Sequence, residues 1–367
     1  MRESYNNLMK AHMHEPDHQN KEEKCWKSSF TSAIKTTREL SSFLAEPVDE
    51  STYPLFIPQD FAQKIKDQGP YGPLWKQFVP SSDEANNRGK ADPIADHFHS
   101  KSGGVIHRYK NRVLFSPTEV CPIQCRYCFR KNELHTNDPI FKPNISFLTD
   151  YLLENKDVEE VILTGGDPLI LSDERIDQLL AKIAKVKTIR MVRFHSRTPI
   201  ILPERLTTSL LSVFQKYKYH FKAITLVIHT NHTSELSEEL SLRLRPFIAQ
   251  GIHLLSQSVL LKGVNDRPED LIQLFKELYF LGINPYYLHH PDPVKGAMHF
   301  VLPLREGQEI YRKVKNAISG VMLPHYIVEL PNGRGKTIAF EQRDINGQWY
   351  DKDGLLLENK TVTQEIF

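Results

Sequence analysis

Three of the four cysteines lie within eight residues, in the stretch Cys121-Pro122-Ile123-Gln124-Cys125-Arg126-Tyr127-Cys128-Phe129-Arg130. The spacing C-x3-C-x2-C is too compact for these thiols to form disulfides with one another without severe strain. It suits three thiolates converging on one centre, since thiolate is the usual protein ligand of iron–sulfur clusters. A 4Fe–4S cluster held by three cysteines keeps one iron open to another ligand. A structural zinc site is the competing reading. Such sites are normally closed by a fourth Cys or His, and His135 is near enough in sequence to serve.

Other candidates follow along the chain. Thr164-Gly165-Gly166-Asp167-Pro168 is an ordinary turn, or a place where backbone comes close to a ligand and free N–H groups meet an anion. Phe194-His195-Ser196-Arg197, Ile228-His229-Thr230-Asn231-His232 and Ser256-Gln257-Ser258 put polar residues at corresponding strand ends, the pattern of a lined pocket. His229 and Gln257 are the preferred pocket residues of this group. His289 and His290 could ligate a metal, but neighbours on a strand point to opposite faces. Asp292 is a further candidate, or a turn residue before Pro293. Pro331-Asn332-Gly333-Arg334-Gly335-Lys336-Thr337 lacks the G-x-x-x-x-G-K spacing of a phosphate loop. Its lysine is either a solvated basic residue or an amine able to form a Schiff base with an aldehyde cofactor.

The elements that must position these residues are regular from Val113 onward. Strands are expected at 112–117, 160–164, 188–194, 223–229, 253–260 and 284–289, with helices near 144–155, 173–185, 203–217, 234–249 and 267–281. This alternation demands parallel crossovers and a sheet covered by helices. Six units fall short of a closed eight-fold barrel, so the fold class is α/β, an open partial (β/α)6 barrel. Chemistry then gathers in the loops after the strands, where the cysteines stand. Residues 1–50 are a polar extension, disordered to about Lys24, with His12, His14 and His18 solvated, Cys25 an incidental thiol and a helical period from Trp26 to Leu44. Residues 51–110, broken by Pro54, Pro58, Pro70, Pro73 and Pro80, read as helical and irregular. The barrel core spans 111–300, and 301–367 is a short C-terminal region carrying Lys336.

The chain has 367 residues, 40% hydrophobic and 25% charged, with a formal charge of +2. That near-neutral balance gives no reason to expect nucleic acid or a membrane surface as partner. No apolar run approaches the roughly 20 residues that cross a bilayer, and the polar N-terminus lacks a signal-peptide core. Few, clustered cysteines fit a reducing compartment; cytoplasm is expected.

The cysteine motif followed by Gly165-Gly166-Asp167-Pro168 resembles the radical S-adenosylmethionine (radical SAM) superfamily. His107-Arg108-Tyr109, Cys125-Arg126-Tyr127-Cys128-Phe129-Arg130, His195-Ser196-Arg197-Thr198-Pro199, Gln257-Ser258-Val259-Leu260-Leu261, Gly263-Val264-Asn265-Asp266 and Gly333-Arg334-Gly335-Lys336-Thr337 narrow the resemblance. Together, from about Tyr53 to Thr337, they resemble the lysine 2,3-aminomutase family, including the branch that makes (R)-β-lysine for elongation factor P. The resemblance implies an isomerase with three cofactors: a 4Fe–4S cluster on Cys121, Cys125 and Cys128, S-adenosylmethionine, and pyridoxal 5′-phosphate on Lys336. Gly165, Gly166, Asp167, Ser196, His229 and Gln257 carry over as S-adenosylmethionine-binding residues. Arg108 and Tyr109 match the position holding the pyridoxal phosphate group, and Lys336 is the catalytic amine.

Arg130 matches the family arginine for the substrate carboxylate, where a guanidinium fork suits the geometry. Asp292 and Glu329 stand where the distal ammonium of lysine is met, since a buried ammonium requires carboxylates. Many family members carry Asp where this chain has Glu329, and the elongation-factor branch resembles it in having Glu. Lysine is the expected substrate, with arginine or ornithine as alternatives. Members with long C-terminal tails bind zinc through extra cysteines; after Thr337 only 30 residues follow here, without cysteine, so no such zinc is expected. A flavodoxin or ferredoxin is implied as electron donor, and a homodimer is expected. Two other readings compete: a zinc-binding interaction module, and a radical SAM enzyme acting on RNA or peptide without pyridoxal phosphate.

Overall fold

The computed structural model describes residues 26–339 apart from 135 and 137, together with 349–350 and 356–357. His12, His14, His18, Cys25 and His135 lie outside the described residues.

Ten strands form one sheet: β1 (Ser100–Ser102), β2 (Val105–Tyr109), β3 (Arg112–Phe115), β4 (Glu160–Leu163), β5 (Met191–Ser196), β6 (Ala223–His229), β7 (His253–Val259), β8 (Asn284–His289), β9 (His325–Leu330) and β10 (Gly335–Ile338). Their spatial order is their chain order. From β3 to β9 every neighbouring pair is parallel. The six expected strands are all present, and β9 is a seventh. The edges are antiparallel, with β1 and β2 before the parallel run and β10 after it. Residues 100–109, expected to be irregular, are therefore strand. Their turn, Gly103-Gly104, has φ of +58° and +81°, which glycine adopts at little cost.

Twelve α-helices accompany the sheet among the described residues. The first five are α1 (Trp26–Thr31), α2 (Thr37–Leu44), α3 (Gln59–Gln68), α4 (Pro73–Phe78) and α5 (Asp96–His99). The rest are α6 (Ile145–Glu154), α7 (Asp173–Ile183), α8 (Thr198–Ile201), α9 (Thr208–Tyr217), α10 (Glu238–Ala249), α11 (Pro268–Phe280) and α12 (Leu304–Ala317). The crossover helices start where side chains satisfy free backbone donors. Asn144, Ser172, Thr207 and Ser237 accept from Phe147, Arg175, Leu210 and Leu240 N–H, and α11 opens on Pro268.

Period-two alternation sorts the strand side chains. Val113, Phe115, Val161, Leu163, Val192 and Phe194 join one core with Leu148, Leu179 and Phe214 of the helices. Phe194 meets Phe214 at a ring separation of 5.0 Å. The alternate residues Leu114, Ile162, Arg193 and Thr225, in register across four strands, line a cavity inside the curved sheet.

Candidate active site

The cavity has a volume of about 670 Å³ and is lined from nearly every strand. On one side stand Cys121, Cys125 and Cys128, all free and partly buried. The residues between them are anchored in the N-terminal region: Gln124 N–H donates to Phe56 O at 3.0 Å and Arg126 N–H to Gln77 O at 2.8 Å. The Arg126 side chain, 2% exposed, pairs with Glu84 and donates to Pro54 O and Ser51 Oγ at 2.8 Å each. The three thiols meanwhile all line the cavity. Burial raises the pKa of all three, Cys128 to about 11. A bound metal reverses that preference, because its charge stabilises thiolate.

The Gly165-Gly166-Asp167 turn lies against the approach to the cysteines. A Cβ on Gly165, where φ is +101°, would lie 2.0 Å from Ser116 Oγ; one on Gly166 would lie 2.5 Å from Val120 O. Gly166 and Asp167 N–H donate to Thr118 O and Val120 O at 2.9 and 2.8 Å. The sequence-based expectation of free N–H groups is corrected here: these two are used internally, and the glycines permit backbone to pack on backbone. The Asp167 carboxylate, 4% exposed, accepts from Ser196 Oγ at 2.7 Å and from Leu169, Arg197 and Thr198 N–H. Asp167 and Ser196 thus join the loops after β4 and β5, beside the cavity.

His229 and Gln257 are register partners on β6 and β7. One ring nitrogen of His229, Nε2, is 2.7 Å from Tyr127 Oη, and burial with Arg197 nearby holds the ring neutral, well below the usual histidine range. Tyr127 also accepts from Arg197, whose other terminal nitrogen meets Glu235 at 2.6 Å. The adjacent histidines part as expected: His289 lines the cavity, whereas His290 Nδ1 is 2.7 Å from Tyr326 Oη in the core.

The two ends of the strand order are bridged by side chains. Lys336 N–H donates to Tyr109 Oη at 2.9 Å, tying β10 to β2. Lys336 Nζ is 2.7 Å from Glu329 Oε2. Burial would lower the Lys336 pKa, but Glu329 outweighs it and the net shift is upward. The other Glu329 oxygen pairs with Arg108. Arg108 also donates to Ile94 O at 2.6 Å and reaches Asp96 at 3.2 Å. Asp96 in turn takes Arg130 at 2.8 Å. Asp292 is pushed up to about 7 by burial and by neighbouring Glu329.

Three buried histidine nitrogens lining this space have no protein hydrogen-bond partner: His195 Nε2, His229 Nδ1 and His289 Nε2. A buried polar atom without a partner is costly unless a ligand or water meets it. The cavity thus combines three thiols, a partly buried amine, arginines and unsatisfied imidazoles, a donor set that fits a thiolate-bound cluster and an aldehyde cofactor.

The family described as "4Fe-4S single cluster domain" matches residues 111–198. An L-lysine 2,3-aminomutase of Methanococcus maripaludis is 35% identical over 327 residues, 85% of this chain and 74% of its own length. One from Buchnera aphidicola is 32% identical over 322 residues, 85% of this chain and 94% of its own. One from Haemophilus influenzae is 31% identical over 331 residues, 88% and 97%. The chain belongs to the lysine 2,3-aminomutase family. A solved structure titled "Native anSMEcpe with bound AdoMet and Kp18Cys peptide" matches with a TM-score of 0.40 at 11% identity, covering 56% of this chain and 58% of that one, too distantly to bear on the site.

In this family member every residue that the resemblance assigns to a cofactor or the substrate lines the same cavity, including Tyr109, Gln257 and Asp292, whereas His290 does not. Sequence reasoning missed Asp96, which holds Arg108 and Arg130 together, and Glu84, which holds Arg126. It also passed over Tyr127, although that residue lies inside the cysteine motif. For Asp96 and Glu84 no local signal exists, because each finds its arginine 12 to 42 residues away.

Among the described residues no helix is long and apolar enough to cross a membrane.

Proposed function

We propose that this protein is a radical S-adenosylmethionine, pyridoxal-phosphate-dependent aminomutase that converts L-lysine to β-lysine. The observation that carries this reading is that three free thiols and a partly buried lysine paired with a carboxylate line one cavity. When bound, the cluster and S-adenosylmethionine supply a hydrogen-abstracting 5′-deoxyadenosyl radical, and pyridoxal phosphate carries the migrating nitrogen.

The chain's own residues have distinct tasks. Cys121, Cys125 and Cys128 hold the cluster. Gly165, Gly166, Asp167 and Ser196 shape the adjoining loops for S-adenosylmethionine, and His229 and Gln257 offer polar edges to it. Lys336 anchors the aldehyde cofactor, with Arg108 and Tyr109 toward its phosphate. Arg130 takes the substrate carboxylate, and Asp292 with Glu329 takes the distal ammonium. Lys336 supports that last assignment: it is itself an ammonium on a four-carbon stem, and it rests on Glu329. The walls position the substrate β-carbon and exclude water.

The same reading assigns the electron to a flavodoxin or ferredoxin, places the protein in the cytoplasm and makes a homodimer its working form. Anaerobic incubation with S-adenosylmethionine, pyridoxal phosphate, dithionite and lysine should give β-lysine on chiral analysis. Borohydride should fix the cofactor to Lys336. A Lys336→Ala protein with normal turnover would refute the mechanism; turnover of arginine but not lysine would overturn only the substrate.

A further inference from the structure

Outside the cavity's cysteine wall, a second cluster of ligating groups lies where the loop before α5 meets the turn after the cysteines. His97 Nδ1 is 2.9 Å from Asp92 Oδ2 and 3.2 Å from Glu133 Oε1. One ligand atom from each of these residues lies within 4.8 Å of the other two. When nitrogen and oxygen ligands each sit about 2.1 Å from an ion, adjacent ligand atoms are about 3.0–3.4 Å apart. The two histidine–carboxylate separations have that scale, and the two carboxylates lie within 4.8 Å of each other.

Three features indicate a built site. Glu133 is 4% exposed, yet neither of its carboxylate oxygens has a hydrogen-bond donor. A buried carboxylate facing a second carboxylate must take up either a cation or a proton. Asp92 is locked by backbone, with Oδ1 accepting Asp96 N–H at 3.0 Å and Oδ2 accepting His97 N–H at 3.1 Å. On the far side of the imidazole, His97 Nε2 is 2.7 Å from Asp138 Oδ2. A carboxylate on the remote nitrogen fixes the ring and its tautomer, the usual outer support of a metal-bound histidine.

We propose that Asp92, His97 and Glu133 bind a divalent transition-metal ion of the zinc class, distinct from any group held by the cysteines. One nitrogen and two carboxylate oxygens suit a borderline ion better than a thiophilic one. His97 is half exposed, which gives the ion a path from solvent. The competing occupant is a proton. For His97, burial is outweighed by Asp92 and Asp138 and the ring rises to about 9, while burial and Asp92 push Glu133 up to about 8. An ion would displace both protons.

The ion's structural task follows from what its ligands carry. Asp92 binds the backbone of Asp96, and Glu133 N–H donates to Arg130 O at 3.0 Å. Asp96 and Arg130 are themselves paired. The ion would tie the Asp96 loop to the Arg130 turn on the side away from the cavity and so position the arginine pair.

The test is calorimetric titration of Zn²⁺ into chelator-treated protein whose cysteines are occupied by a reconstituted cluster, under anaerobic conditions. One ion should bind per chain. Glu133→Gln and His97→Gln should each weaken binding at least tenfold, and Asp138→Asn by about 10–100-fold, with cluster absorbance retained to show that each variant is folded. A parallel titration of protein carrying Cys121→Ser, Cys125→Ser and Cys128→Ser should still bind one ion, so the result does not depend on the cluster. Absence of one-site binding in both backgrounds, or unchanged affinity in Glu133→Gln and His97→Gln, overturns the proposal.

Discussion

Lys336 and Glu329 stand directly opposite one another on β10 and β9, and their side chains close a 2.7 Å ion pair inside the cavity. Seven positions apart in the chain, they become cross-strand neighbours because the 331–334 turn folds β10 back on β9. The pair gives Glu329 two cationic partners, since Arg108 holds its other oxygen. Under the proposed function Glu329 would meet the substrate's distal ammonium as it here meets the ammonium of Lys336.

Glu329→Gln should therefore raise KM for lysine about 10–100-fold, the scale of losing one charge-assisted hydrogen bond of about 1.5–3 kcal/mol. The change in kcat should be smaller. Glu329→Asp keeps the charge and should fall between the two. Anaerobic steady-state kinetics check this, with norleucine as the control: it lacks the distal ammonium, so its weak binding should not respond to Glu329→Gln.

Asp292 supplies a pH test. Burial, with Glu329 beside it, pushes this carboxyl up to about 7, so it gains a proton as pH falls through 7 and loses its attraction for an ammonium. The kcat/KM for lysine should rise through about pH 7, and Asp292→Asn should abolish that limb while lowering the plateau. Stability runs the other way. A folded-state pKa above the unfolded value near 3.9 gives a contribution present at low pH and lost as pH rises through 7. The Tm of Asp292→Asn relative to wild type should accordingly increase between pH 5 and pH 8.

Much of this site is legible in the sequence. The apolar runs Val161-Ile162-Leu163 and Ile224-Thr225-Leu226-Val227-Ile228 mark buried parallel strands, and C-x3-C-x2-C marks a shared thiolate site. Other parts needed long-range pairing. His325–Leu330 has strand-like composition, but nothing local says that it pairs in parallel with β8 rather than only with its hairpin partner β10. The glycines of Gly165-Gly166 were legible as a close approach, but their neighbour is the loop at Ser116–Val120. Asp96 was invisible, because a lone acid in a polar stretch gains meaning only when Arg108 and Arg130 converge on it.

That convergence predicts a large stability effect. The Arg108 and Arg130 side chains are 4% and 5% exposed, and both reach Asp96, itself 2% exposed. Asp96→Asn keeps the shape and removes the charge between two buried guanidinium groups. Breaking a buried ion pair by removing one partner costs about 3–5 kcal/mol. The urea midpoint should fall accordingly, whereas Glu309→Gln, which removes an exposed partner of Arg312, should change it little.

The glycine turn predicts that cluster loading and global stability can be separated. A methyl on Gly166 would meet the Val120 carbonyl at 2.5 Å, with Glu119 C and Val120 N at 2.6 and 2.7 Å. These are backbone atoms that cannot swing aside, and the next residue is Cys121. Gly166→Ala must therefore push residues 119–120 away and carry the first thiol with them, at the cost of about 1–3 kcal/mol typical of overpacking. Gly251→Ala provides the contrast: its Cβ meets nothing within 4 Å, but its φ is +78°, so it should lose about 1 kcal/mol through backbone strain alone. Iron and sulfide analysis after anaerobic reconstitution should find loading sharply reduced in Gly166→Ala and full in Gly251→Ala. Equal loading in the two proteins would show that the Gly166 turn does not set the position of Cys121.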